Sequence, residues 1–243
     1  MKKERLDKIL ALNNFGSRRE VGDAVRRGRV SVDGRIVRKP DFKISPDEAS
    51  VLVDGVPAVL RLHLYLMMNK PAGVLSASRD PASRTVVDLL PRKWKRRGVF
   101  PAGRLDRDTQ GLLIITDDGD FAHRMLSPKN HVWKRYEAEL AFPVSPEDTA
   151  AFQAGIRFQD RTCLPARLEV ISPGPHPLAG VEIREGKFHQ VKRMFLARGN
   201  RVLRLRRVRI GNLELDSALA PGQAREMTER ERQAVFMESS APE

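Results

Sequence analysis

At 243 residues the chain has room for one large domain, or for a small domain joined to a medium one. Its 41% hydrophobic content supports a packed core and excludes a disordered basic tail. The 44 Lys and Arg against 31 Asp and Glu leave a net charge of +13, clustered along the chain, which points to a polyanionic partner bound in part through counterion release.

Leu6, Ile9, Leu10 and Asn13 fall at helical spacing, with the apolar members on one face. Ser17-Arg18-Arg19-Glu20 has the form of a capping box that opens a second helix. Val21, Ala24 and Val25 give that helix an apolar stripe, and Gly28 sits where a C-terminal glycine cap belongs. Val30 and Val32, an Asp33-Gly34 turn, then Ile36 and Val37 predict a β-hairpin. Through residue 45 there are 13 Lys and Arg against 6 Asp and Glu, a net of +7, and Arg18, Arg19, Arg26, Arg27 and Arg29 flank the second helix. A solvated helix face normally mixes both signs, so the excess of one sign predicts RNA contact. Residues 46–62 are polar and turn-rich and read as the end of this module and a short linker, with a strand at Val51-Leu52-Val53.

From Leu64 onward short apolar runs alternate with helical segments. Tyr65 to Lys70 reads as a strand running into a proline turn, Leu112 to Ile115 as a buried strand, and Asp120 to Leu126 as a short helix. Tyr136 to Leu140 alternates as a half-exposed strand does. Ser145-Pro146-Glu147-Asp148 opens a helix that ends near Gly155, and His189 to Arg198 forms another, closed by Gly199. Val202 to Ile210 and Leu213 to Leu215 are the final strands. Such a mixture predicts an α+β domain with a largely antiparallel sheet. Residues 184–209 carry 10 Lys and Arg against Glu185 alone, a net of +9, and residues 92–107 carry 7 against Asp106 alone, a net of +6. If these two patches converge, they form a groove for a phosphate backbone.

The stretch Ala102 to Gly119 sets Asp106 between Arg104 and Arg107, ahead of an apolar run and an Asp-Asp-Gly turn. Nearby positive charge favours an ionised carboxylate, suited either to act as a nucleophile or to hold an RNA-binding cleft together. No Gly-x-Gly-x-x-Gly and no Gly-x-x-x-x-Gly-Lys-Ser/Thr occurs, which argues against a dinucleotide enzyme and a P-loop ATPase and weakens an RNA methyltransferase. The single cysteine, Cys163, rules out an intramolecular disulfide and a cysteine-built zinc site, and the five histidines show no His-Glu-x-x-His, so no metal is expected. No apolar run reaches signal or membrane-span length, so the expected location is the cytoplasm. A cofactor-free RNA enzyme and a pure RNA-binding protein remain.

The first 45 residues resemble the S4 RNA-binding domain, through Arg5-Leu6-Asp7-Lys8, Ser17-Arg18-Arg19, Gly28-Arg29-Val30-Ser31-Val32-Asp33-Gly34, and Val37 with Pro40. Asp33 replaces the usual asparagine, and both residues suit the turn. Further on, Gly103-Arg104-Leu105-Asp106 with Thr109-x-Gly111-Leu112-Leu113 and Thr116-Asp117-Asp118-Gly119 resembles the active-site motif of bacterial ribosomal RNA pseudouridine synthases. Three other blocks agree in order. They are Met68-Asn69-Lys70-Pro71-Ala72-Gly73-Val74; Lys134-Arg135-Tyr136; and the run from Glu185 to Phe195 with Leu205-x-Arg207-x-x-Ile210-Gly211. Lys192, in His189-Gln190-Val191-Lys192, makes the small-subunit (16S) branch the nearest, because large-subunit enzymes more often carry arginine there.

The resemblance implies an S4-like module with its linker over 1–60, a mixed-sheet synthase domain over 61–235 and a tail at 236–243. It implies an isomerase that turns a uridine of ribosomal RNA into pseudouridine without a cofactor. Asp106 is then the catalytic carboxylate, Lys192 its charge partner, and Tyr136 the ring that stacks on the extruded base. Leu205 forms an apolar wall, and Arg104 braces the space that the base leaves. Arg5, Arg18, Arg19, Arg26, Arg27 and Arg29 contact RNA. Ribosomal RNA, free or in an assembling subunit, is the expected partner, with no protein partner, no membrane and a monomeric chain. The alternatives are a non-catalytic rRNA-binding or assembly factor, and a synthase acting on large-subunit 23S rRNA.

Overall fold

The computed structural model describes residues 3–95, 97–158 and 162–237, so the tail expected at 236–243 lies outside the described residues from 238 on. The chain divides into two compact units, Met1–Leu64 with Pro91–Gly98, and Tyr65–Leu90 with Val99–Glu243.

The first unit contains β1 (Glu4–Arg5), α1 (Leu6–Leu12), α2 (Arg18–Arg26), β2 (Val30–Val32), β3 (Arg35–Ile36), β4 (Lys43–Ile44), β5 (Val51–Val53), β6 (Val56–Pro57) and α3 (Arg92–Lys95). The capping box forms as the sequence predicts: Ser17 Oγ accepts from the Glu20 amide, and Glu20 Oε2 accepts from the Ser17 amide at 2.6 Å. At the other end of α2, the Gly28 amide donates to Val25 and the Arg29 amide to Ala24, the paired bonds of a Schellman motif with Gly28 at φ +75°. Asp33 and Gly34 both take positive φ, the two-residue turn that matches the twist of β2 and β3. Residues 46–62 are built into the unit. β5 pairs with β2, β6 pairs with β5, and Leu60 and Leu62 pack on the core of Leu6, Ile9, Leu10, Val21, Val25 and Val30. Arg97 ties 91–98 to the same unit by donating to the Leu12 and Leu62 carbonyls, each at 2.9 Å. The basic run 92–107 is therefore divided between the units.

The second unit contains β7 (Tyr65–Lys70), β8 (Phe100–Ala102), β9 (Gln110–Thr116), α4 (Gly119–Leu126), β10 (Lys134–Leu140), α5 (Pro146–Ala154), β11 (Arg167–Ser172), β12 (Leu178–Ile183), α6 (Gln190–Ala197), β13 (Val202–Ile210), β14 (Leu213–Glu214), β15 (Ala224–Glu226) and α7 (Glu229–Ala234). Its sheet runs β11-β12-β10-β13-β9-β7-β15, with β14 on β13 and β8 on β9. Every pairing is antiparallel except β9 with β13, so the sheet is mixed and largely antiparallel, as the sequence predicts. Strand β9 is buried along Gly111 to Thr116, and β10 alternates buried and half-buried residues. Helix α6 starts one residue later than its sequence suggests, because His189 takes a left-handed φ of 51° and stands outside it. Phe236, placed in the tail by sequence, packs edge-on against Phe121 at 5.2 Å and lies half-buried against the core.

The parallel pairing of β9 with β13 matters for the site, because it sets Gln110 and Gly111 beside Arg206 and Arg207. Gly111 has φ +102°, and a Cβ there would lie 2.2 Å from the Arg207 carbonyl oxygen. Only glycine lets the two backbones approach so closely. Gly111→Ala should therefore destabilise the protein by about 3 kcal/mol or more, read as a lowered unfolding midpoint. Gly119→Ala, where an added Cβ meets open space, should leave the midpoint close to wild type. Equal midpoints for the two variants would contradict this reading.

Candidate active site

The segment after β7 builds the turn that carries Asp106. Lys70, at the end of β7, is fully buried, and its ammonium donates to the carbonyls of Pro71, Asp106, Arg107 and Thr109 at 2.9–3.2 Å. Burial draws its pKa down to about 8, which leaves it an ammonium at neutral pH. The buried Ser76 hydroxyl donates to the Leu105 carbonyl and accepts from the Leu105 amide, and the Gly73 amide donates to the Arg107 carbonyl at 2.7 Å. Within the turn, the Thr109 amide closes on the Asp106 carbonyl at 3.1 Å. The backbone around Asp106 is thus fixed by groups that lie 29 to 39 positions earlier.

The Asp106 side chain is about one-quarter exposed. Lys192 Nζ lies 3.2 Å from Oδ2 and His189 Nε2 3.5 Å from Oδ1, both from the start of α6. Sequence pairs Lys192 with Asp106 alone, but the structure divides that charge, since Asp108 Oδ1 lies closer at 2.6 Å. The hydrogen bond from Lys192 holds the Asp108 carboxyl below the usual carboxylate range.

Asp106 faces an open cleft of about 420 Å³, lined also by Arg104, Thr109, Tyr136, His189 and Leu205. Tyr136 and Leu205 come from the adjacent strands β10 and β13, and Tyr136 stands directly across from Arg207. The buried Arg207 donates to the Leu112 carbonyl at 2.8 Å and, at 3.5 Å, to the Tyr136 hydroxyl, which fixes the ring. Arg104 is exposed at the cleft and makes no ion pair among the described residues. Asp106, Tyr136, Lys192, Arg104 and Leu205, five residues that sequence reasoning selects, therefore meet in one place. Lys70, His189, Ser76 and Arg207 were given no role by sequence reasoning. Lys70, His189 and Arg207 do leave a signal, since each lies inside a block that carries the family resemblance, whereas Ser76 lies in none. Among the described residues, no group of three or more His, Cys, Asp or Glu is placed to hold a metal, and no helix is long and apolar enough to cross a membrane.

In the first unit the six arginines expected at RNA differ in kind. Arg5 and Arg18 both bind the buried Asp7 carboxylate, at 2.9 and 3.3 Å. Burial pushes Asp7 up, but the bonds from Arg5 and Arg18 outweigh it and hold the carboxyl below its usual range. Arg26 pairs with Asp23 at 2.6 Å, and Arg29 grips Asp54 through two nitrogens. Arg19 and Arg27 are exposed and carry no ion pair among the described residues.

The sequence pattern of the S4 domain matches residues 4–49, and that of RNA pseudouridylate synthase matches 64–197, a span that holds Asp106, Tyr136, His189 and Lys192. The chain is 46% identical over 229 residues to a Bacillus subtilis (strain 168) protein named "Uncharacterized RNA pseudouridine synthase YtzG", covering 93% of this chain and 96% of that one. It is 44% identical over 237 residues to "Ribosomal small subunit pseudouridine synthase A" of Escherichia coli (strain K12), covering 95% of this chain and 99% of that protein. The crystal structure of a pseudouridylate synthase aligns with a TM-score of 0.67 at 34% identity, over 96% of this chain and 99% of the other. With the synthase pattern spanning more than half the chain and full-length relatives this similar, the chain belongs to the RNA pseudouridylate synthase family and carries an S4 domain ahead of the synthase domain.

Proposed function

We propose that this enzyme isomerises a uridine of small-subunit (16S) ribosomal RNA to pseudouridine, with Asp106 as its catalytic carboxylate. The observation that carries the reading is the Asp106 carboxylate itself, held between Lys192 and His189 on an immobilised turn and facing a cleft walled by Tyr136 and Leu205. The name of the Escherichia coli relative supports the small subunit as the source of the RNA.

In the reaction the N1–C1′ bond breaks, the base turns, and a C5–C1′ bond forms. A proton leaves C5 and N1 gains one, so no electrons are transferred and no group carrier is consumed. Chemistry on a base needs that base out of its stack. The Tyr136 ring, anchored by Arg207, offers a flat face to the extruded uracil, and Leu205 extends the apolar wall. Asp106 acts on the uridine once it is seated. Lys192 and His189 keep the carboxylate aimed into the cleft, which is the orientation that an enzyme supplies in advance. Arg104, exposed beside the cleft, occupies the place vacated by the base or holds the flanking phosphate.

Asp106→Asn keeps the shape of the side chain and removes its charge. Pseudouridine formation on unmodified rRNA, mapped with no cofactor added, should be abolished while the unfolding midpoint and rRNA affinity stay near wild type. Appreciable turnover by this variant would show that another group carries the chemistry.

The first unit separates into arginines that face solvent and arginines that hold the fold. Replacing Arg19 and Arg27 by alanine should weaken rRNA binding evenly across sequences and reduce the slope of log affinity against log salt by about one per arginine. Arg18→Ala should act differently, lowering stability because Asp7 loses a partner while staying buried. A salt slope unchanged by the double substitution would remove Arg19 and Arg27 from the RNA contact.

A further inference from the structure

Phe188 is an anomaly on the surface, a phenylalanine 75% exposed between two residues that line the Asp106 cleft, Lys187 and His189. Its ring lies almost flat on the His189 imidazole, with centroids 3.8 Å apart and planes at 17°. The same imidazole reaches Asp106 at 3.5 Å. His189 holds this pose in a left-handed backbone conformation, which non-glycine residues adopt seldom and at a cost.

The loop is not free to turn Phe188 inward. The Gln190 side chain accepts from the Lys187 amide at 3.0 Å and donates to Glu185 at 2.7 Å. Glu185 also accepts from the Leu164 amide at 3.0 Å and pairs with the Lys187 ammonium at 2.8 Å. The aromatic ring is therefore presented to solvent from a fixed frame, one face covered by His189 and the rest open. Lys187 and Lys192 beside it are already paired, with Glu185 and with Asp106 and Asp108, whereas Arg104, exposed at the same cleft, makes no ion pair among the described residues. A flat apolar surface at the same cleft as an unpaired arginine suits a nucleobase, whose π-face stacks while a neighbouring phosphate meets Arg104. An apolar protein partner or an acyl chain would leave that arginine unpaired.

We infer that Phe188 stacks on the nucleobase next to the target uridine, so that this base, Phe188 and His189 form one continuous stack ending at the Asp106 carboxylate. The inference rests on the activity proposed for the cleft. A base flanking an extruded uridine loses one stacking neighbour, and Phe188 supplies the replacement. It is a positioning residue, which lowers the cost of holding the RNA open and takes no part in bond changes.

The test compares wild type with Phe188→Ala, Phe188→Leu and Phe188→Trp on a 16S rRNA fragment, by steady-state kinetics and direct binding. Because the side chain is exposed, all four proteins should share one unfolding midpoint. Alanine and leucine should each raise KM and weaken binding by about tenfold or more, the scale of one lost base–aromatic stack, with kcat close to wild type. Tryptophan should restore both, and RNA should quench the added indole fluorescence relative to wild type. An unchanged KM in Phe188→Ala would overturn the inference, and so would a leucine variant equal to wild type, which would mark a generic apolar or protein contact. If the wild-type protein forms no pseudouridine, the proposed activity fails. Stacking is then decided by binding alone: affinity lost with alanine and regained with tryptophan sustains it, and any other pattern ends it.

Discussion

The Lys70 ammonium has no carboxylate within ion-pairing distance among the described residues, and four backbone carbonyl oxygens stand in for a counter-ion. Three of the four belong to the turn at residues 106–109. A buried ammonium costs free energy unless its protons are satisfied, and buried carbonyls cost free energy unless they find donors. Each side of this contact removes the penalty of the other, so the turn has one low-energy arrangement. The Asp106 side chain leaves that turn in a fixed direction. The cleft, its carboxylate and the reach of Lys192 and His189 all depend on the direction being held.

A second constraint brings the walls to the turn. The close approach at Gly111 puts the start of β9, just after the turn, against β13, which delivers Leu205 and Arg207. Strand β10 lies on the other side of β13 and delivers Tyr136 opposite Arg207. Three adjacent strands thus contribute the carboxylate's anchor, the apolar wall and the ring, and none of these positions rests on a long flexible loop. The fourth part, His189 with Lys192, arrives on α6 through a loop that Glu185 and Gln190 lock. Sites carried by regular elements hold their geometry more closely than sites on loops.

Local rules made much of this legible in the amino-acid sequence. The capping box at Ser17, the helix start at Ser145-Pro146, the Asp33-Gly34 turn, the buried run at Leu112 to Ile115 and the alternation from Tyr136 to Leu140 each follow from forces acting within a few residues. Elements without a local signal escaped. Strand β15 is Ala-Arg-Glu and pairs with β7 across a long stretch of chain, while α7 carries no apolar stripe and is held at its start by Thr228 and by Arg225 gripping Glu231. In the site, Asp106, Tyr136 and Lys192 are legible through motif resemblance; Lys70 and Arg207 lie in the same motif blocks, but their work on backbone carbonyls is a role that no pattern of side chains reveals. Charge counts misled most. Of the basic residues between 184 and 209, Arg198 pairs with Asp148, Arg209 with the buried Glu182, and Arg207 is buried. The net of +9 therefore overstates what is free to meet phosphate. A count of charges cannot see which carboxylate the fold brings to each one.

The most direct test of Lys70 as keystone is amide hydrogen exchange in Lys70→Met at fixed pH, followed residue by residue. The variant should lose protection at Gly73 and Thr109, whose amides bond to the Arg107 and Asp106 carbonyls, by about tenfold or more, while Leu113 and Ile115 in β9 stay protected. Pseudouridine formation should fall with the protection of the turn. If Gly73 and Thr109 exchange as slowly as in wild type and the variant still turns over at the wild-type rate, the turn is held by something else and the central role given to Lys70 is wrong.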